Sequence, residues 1–224
     1  AVLRLSDALP GIAAFSYLAA VPERERSAFE LTLRKEYPDF SIRPGGAREE
    51  YVVVTTVAPE TPHNLRAIGS DSLASDVRRE AIFAARDSGE TRISAKLNLV
   101  MHPRDAPPAF LMYQAVYRDG ELPASLEDRR TRIAGYFVGA FRVDALIAAV
   151  IGKGRRDVAL RVYDGFDRRD ENLFFASHPG QSLVDTRHSL SAVIEIGGRS
   201  WLVEYAALPE FSVDSDSHDA SLRL

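Results

Sequence analysis

The stretch Ile133-Ala134-Gly135-Tyr136-Phe137-Val138-Gly139-Ala140-Phe141-Arg142-Val143 decides the fold class. It is apolar, rich in aromatic and β-branched residues, and reads as a buried strand over 133–143. At nine residues, its apolar run 133–141 is the longest in the chain and about half of what a bilayer span requires. The two glycines inside it mark close approach by another group, or a bulge.

Working outward, the spacing predicts a brief helix over 144–151, closed by Gly152, and strands over 91–100 and 110–117. Ser75 and Asp76 open a helix whose inward face is Val77, Ala81, Ala84 and Ala85, with Gly89 as its stop. Residues 51–57 are β-branched and strand-like. Residues 12–18 read as a buried strand, after a short helical stripe over 1–9 that Pro10-Gly11 ends. Pro22 suits the first position of a helix carrying Glu23 and Glu25 at its positive end, with Ala28, Phe29, Leu31 and Leu33 inward. The last third is strand and turn: 158–163, 173–176, 191–196 and 199–206, with Gly197-Gly198 as a hairpin turn. Residues 214–224 regain leucines as a frayed helix would. Short antiparallel strands with helices between them indicate an α+β fold.

Composition bounds the function. The 224 residues are 46% hydrophobic and 27% charged, which excludes a disordered chain. There is no cysteine, so thiolate metal sites and cysteine nucleophiles are excluded. A net charge of −4 argues against nucleic acid, and the arginine pairs are interleaved with acids as on a solvated surface. His63, His102, His178, His188 and His218 all fall in predicted loops without metal-ligand spacing, so no metal or cofactor is expected. No G-x-S-x-G elbow is present, and Gly152-Lys153-Gly154 lacks the spacing of a phosphate loop. No catalytic residues are assigned, and the chain is read as non-enzymatic. An alanine at position 1 reads as a fragment or a processed chain.

One constellation carries chemistry. Gly69-Ser70-Asp71-Ser72-Leu73 precedes the Ser75 helix. A carboxylate there, flanked by the strands of Tyr17, Ile93, Tyr113 and Phe137, is either a polar anchor in an apolar pocket or an Asx-turn at a helix entry. Both readings stand on the residues alone.

The order of several short motifs adds to this: Pro10-Gly11-Ile12; Val21-Pro22-Glu23-Arg24-Glu25-Arg26; Gly69-Ser70-Asp71-Ser72-Leu73; Arg78-Arg79-Glu80-Ala81; and Ala85-Arg86-Asp87-Ser88-Gly89. Ala115-Val116-Tyr117, the 134–141 strand, Val162-Tyr163-Asp164 and Gly198-Arg199-Ser200-Trp201 complete it. Together they resemble a CHASE domain, the extracellular sensory module of receptor histidine kinases and diguanylate cyclases, over roughly residues 10–210. The resemblance implies the end of a stalk helix over 1–10 and a membrane-distal PAS-like ligand-binding domain over 11–141. A proximal PAS-like domain over 142–213 and a tail toward the membrane over 214–224 follow. It implies a small-molecule ligand, of which a cytokinin-type adenine is one, met by Asp71, Ile93 and Ser94, the last where plant members carry threonine. Gly135 and Phe137 would form another wall. Ala115 departs from the family's Pro-Val-Tyr. A homodimer through the stalk, flanking membrane spans and a periplasmic location in a bacterial inner-membrane protein are further implications. The competing expectation is an interaction or structural ectodomain that mediates receptor dimerisation.

Overall fold

Every pairing between strands among the described residues of the computed structural model is antiparallel, and the first and fifth strands meet in the middle of one sheet. Residues 11–99, 107–151, 158–180 and 189–208 are described. Strand β1 (Ile12–Pro22) lies between β2 (Glu50–Ala58) and β5 (Ile133–Arg142); β4 (Ala109–Tyr117) and the two-residue β3 (Arg92–Ile93) extend the sheet to the order β2-β1-β5-β4-β3. A second sheet has the order β7-β6-β9-β8, from β6 (Val158–Asp164), β7 (Leu173–Ala176), β8 (Ser189–Ile196) and β9 (Arg199–Ala207). The helices are α1 (Arg26–Leu33), a single turn α2 (Pro62–Leu65), α3 (Asp76–Ser88), α4 (Leu126–Thr131) and α5 (Val143–Ile151). The fold is α+β, built on these two antiparallel sheets of five and four strands. The expected stalk helix over 1–10 and the tail over 214–224 lie outside the described residues, and the first described element is a strand.

Local chemistry explains most of these elements. β2 contributes Tyr51, Val52, Val53 and Val54, all buried, because it is covered on both faces. Gly89 ends α3 at φ +75°, its N–H bonded to the Ala85 carbonyl. The quoted strand meets its expectation of close approach. A Cβ on Gly135 would collide with the Leu18 carbonyl and the Tyr17 hydroxyl, and one on Gly139 would lie 2.8 Å from the Phe141 ring.

Three expectations shift. β1 runs through Pro22, which pairs with Glu50, while Glu23 N–H donates to the Glu49 carbonyl at 3.0 Å. Ladder bonding therefore outweighs the helix-start signal, and α1 begins at Arg26 after one 3-10 turn. On α1 only Phe29 and Leu33 pack inward, whereas Leu31 is exposed. On α3, Ala84 is exposed and Ile82 takes its place inside. The strand expected over 91–100 forms a continuous ladder only at Arg92 and Ile93, and Leu97 returns to β4 as an isolated bridge to Ala109. Between those contacts the ladder is interrupted, because Lys96 N–H donates to Asp164 Oδ2 of the second sheet at 2.7 Å.

The two sheets share a core. Ile93, Phe110 and Val143 pack with Leu160, Val162, Phe174, Trp201 and Val203. Trp201 is 1% exposed and stands edge-on to Phe110, ring centroids 5.2 Å apart. The Gly197-Gly198 turn presses on Ile93 and Arg92, at φ +52° and +77°, and the Gly197 carbonyl accepts from Ile93 N–H at 3.1 Å. Side chains at either glycine would be strained and would also strike β3.

Trp201→Ala should cost about 3–5 kcal/mol, the range for emptying a large buried aromatic site. Because the core is shared, urea unfolding followed by circular dichroism should show one transition at a lower midpoint. Two separated transitions would show instead that each sheet unfolds independently.

Candidate ligand-binding site

The loop at Gly69 is bound to the edge of β2 through its backbone. Gly69 N–H donates to Val54 O at 2.8 Å, Val54 N–H to Ser70 O at 3.1 Å, and Asp71 N–H to Arg43 O at 2.7 Å. Gly69 holds φ +83°, with its Cα hydrogen side so close to Ser41 O that a Cβ would lie 2.6 Å away. Extended backbone alternates its side chains. Asp71 therefore faces β2, and its neighbours Ser70 and Ser72 face the other way.

The Asp71 carboxylate is engaged inside the protein. Its Oδ1 accepts from Val52 N–H and Leu73 N–H, each at 3.0 Å. Its Oδ2 lies 3.4 Å from Arg48 Nη1, and the side chain has no exposed surface. Asp71 also caps the 3-10 turn Ser72–Ala74. This is the Asx-turn arrangement at a helix entry.

Ser70 and Ser72 border a cavity with about 670 Å³ of empty space, part of it open to solvent. Its floor is the inward face of the first sheet: Ala14, Ser16 and Leu18 of β1, Leu111 and Tyr113 of β4, and Val138 and Ala140 of β5. Arg78, in the first turn of α3, closes one side. Tyr113 is fully buried, and its hydroxyl meets no partner in hydrogen-bonding geometry among the described residues. Burial pushes its pKa up, while the charge of Arg78 and a side-chain interaction with the Ser72 hydroxyl act downward without reversing it, so it is a neutral phenol. Arg78 makes no hydrogen bond or ion pair with any described residue, whereas Arg79 beside it bonds Leu73 O and Asp76.

Of the residues expected from sequence, Tyr113 alone borders this cavity. Tyr17 pairs with Phe137 in register, their rings 5.4 Å apart. With Gly135 they occupy the face of the sheet opposite to Ser16, Leu18 and Val138, and Phe137 is 58% exposed. Burial raises the Tyr17 pKa. Ile93 is committed to the Gly197 turn. Ser94 Oγ accepts from Leu111 N–H at 3.0 Å and donates to Ala95 O at 2.9 Å. Ser16, Ser72 and Arg78 were missed. The alternation of the quoted strand contained a signal for the floor, since Gly135, Phe137 and Gly139 on one face put Val138 and Ala140 on the other. No three metal-ligating side chains converge among the described residues. Gly152-Lys153-Gly154, His102, His188 and His218 lie outside them.

An antiparallel α+β unit with a largely apolar cavity over its central strands, capped by a few polar groups, has the form of a small-molecule-binding module. The CHASE domain model matches residues 1–175, and the chain belongs to that family. It is 24% identical over 190 residues to Probable histidine kinase 4 of Oryza sativa subsp. japonica, covering 83% of this chain and 18% of that protein. It is 27% identical over 164 residues to Probable histidine kinase 6 of the same plant, covering 72% of this chain and 16% of that one. The chain thus spans less than a fifth of the length of these relatives. Among solved structures, it is similar to the periplasmic sensory domain of the Campylobacter jejuni chemoreceptor Tlp1, with TM-score 0.48 and 13% identity over 89% of this chain and 73% of that one. An extracellular ligand binding receptor from Desulfohalobium retbaense matches with TM-score 0.43 and 14% identity, over 69% of this chain and 28% of that one.

Asp71→Ala would orphan two buried N–H donors at about 1–3 kcal/mol each, for a total loss of about 2–6 kcal/mol. Asp71→Asn retains an acceptor oxygen and should lose less than half as much. Urea midpoints for the two variants check this order; equal losses would show that the Arg48 pairing, not the N–H bonds, dominates.

Proposed function

We propose that this chain is the extracytoplasmic sensory domain of a transmembrane signalling receptor, and that it binds a small organic molecule in the cavity beneath Ser70 and Ser72. The supporting observation is the Tyr113 hydroxyl, wholly buried beside an apolar floor and short of full hydrogen-bond geometry with the Ser72 hydroxyl next to it. A buried hydroxyl left unpaired costs about 1–3 kcal/mol, and a ligand that bonds it removes that cost. Membership of the CHASE family and similarity to plant proteins named histidine kinases support the same reading.

In this reading residues 11–141 are the distal, ligand-binding domain and residues 142–213 the proximal one. The receptor's output is a histidine kinase or a diguanylate cyclase, and the domain itself catalyses nothing. The parent protein is a bacterial inner-membrane protein, dimeric through the segment 1–10, with this domain in the periplasm. Asp71 acts on the ligand through the loop it holds, and a cytokinin-type adenine is one candidate ligand. Ligand changes the output only by binding two arrangements of the domain unequally. The second reading, an interaction ectodomain that mediates dimerisation, draws on the exposed Leu190, Val193 and Ile194 of β8.

Ala140→Leu tests the site. It puts a larger apolar side chain into the cavity floor and leaves the polar cap intact. In calorimetry with N6-substituted adenines and small metabolites, any compound that binds the wild type should bind this variant at least tenfold more weakly. Equal binding by the two proteins would place the ligand elsewhere and remove this reading.

A further inference from the structure

From the charge around the cavity we infer that its ligand is an anion: a small carboxylate with an apolar body, whose acid group is held by Arg78, Tyr113 and Ser72. The inference rests on the ligand-binding reading above and narrows it to one chemical class.

Four observations support it. First, Arg78 is a cation within the first turn of α3, where the helix dipole disfavours positive charge. It has no counter-ion among the described residues. Asp76 in the same turn is taken by Arg79. A bound carboxylate would meet the guanidinium and the helix end together.

Second, the buried Tyr113 hydroxyl and the Ser72 hydroxyl are both able to donate. Neutral phenol and hydroxyl groups add to the guanidinium's grip on an acid. Third, the acid that might have attracted a basic ligand is withdrawn: Asp71 faces Val52, Leu73 and Arg48. No carboxylate borders the cavity.

Fourth, the adjoining hollow, which shares Ser70 and Arg78 with the cavity, collects Arg43, Arg66 and Lys96 against a single carboxylate, Asp71, which already faces Arg48. The guanidinium of Arg43 donates to the carbonyls of Arg66 and Ile68, Arg66 Nη2 lies 3.2 Å from His63 Nδ1, and Lys96 Nζ donates to Glu171 O at 2.8 Å. None of the three has an ion-pair partner among the described residues, although Asp164, Asp170 and Glu171 act on Lys96 at longer range. In a chain of net charge −4, such a local excess of cations draws anions inward.

The body is apolar because most of the floor is: Ala14, Leu18, Leu111, Val138 and Ala140 lie around the hydroxyls of Ser16 and Tyr113. Titration calorimetry at pH 7 with phenylacetate, hexanoate and indole-3-acetate, each against its primary amide, tests the inference. The acids should bind, and the amides should bind about ten- to a hundredfold more weakly, the factor for one charge-assisted contact. Arg78→Gln should lose the acids by the same factor with an unchanged urea midpoint, since its guanidinium holds nothing in the protein. Tyr113→Phe should lose the acids by a smaller factor.

Amides or N6-substituted adenines that bind as well as the acids, unaffected by Arg78→Gln but lost in Ala140→Leu, would overturn the acid class while leaving the site in place. Acids that bind Ala140→Leu and wild type alike would remove the site itself. No binding by any acid, amide or adenine would count against both.

Discussion

The site depends on one buried carboxylate. Asp71 satisfies two backbone N–H groups and faces Arg48, and in doing so binds the loop at Gly69 to the edge of β2. Without an acceptor at that place, Val52 and Leu73 would present unpaired donors inside the core, a cost comparable to a large fraction of a small domain's stability. With it, the extended backbone has a fixed phase. Ser70 and Ser72 then have one direction to face, and α3 starts where its first turn brings Arg78 over the central strands. The polar groups at the rim of the cavity are thus positioned by a residue absent from its lining.

How much of this was legible in the sequence varies with the distance over which the determining contact acts. The quoted strand with its glycines, the Gly89 stop and the Gly197-Gly198 hairpin are local, and each appears where the residues placed it. Pro22 and the 91–100 segment were harder to read because their structure is decided by partners far along the chain, Glu49 and Glu50 for one and Asp164 for the other. The candidate site shows the same division. Loop 69–73 was recognisable as special, and both possible roles of Asp71 could be written down. Choosing between them needed Val52, nineteen residues away in sequence, whose amide is bonded at the carboxylate. Tyr17 and Phe137 illustrate a different limit: their pairing was implicit in two strands, but which face of the sheet is covered depends on where the 64–78 segment packs.

The same long-range contacts offer a route between the cavity and the second sheet. Segment 93–97 leaves β3 with Ile93 bonded to the Gly197 turn, Ser94 to Leu111, and Lys96 to Asp164. Leu111 is a cavity wall, and Asp164 is also held by Arg199, at 3.0 and 3.2 Å. Arg199 lies 3.9 Å from Glu80 of α3, the helix that carries Arg78. In the proposed reading, a ligand that pulled Arg78 or displaced Leu111 would be linked to the Asp164 carboxylate through α3 and Arg199 or through segment 94–96. Packed cores respond to such shifts by moving between discrete arrangements more readily than by continuous deformation. The shared cluster around Trp201 makes the two sheets one such packed body, so a change in the tilt of α3 has to be accommodated across the β3–Gly197 contact. That contact is glycine on one side, with no side chain to cushion a displacement, so in the proposed reading a small movement of β3 would be passed to the β8–β9 hairpin.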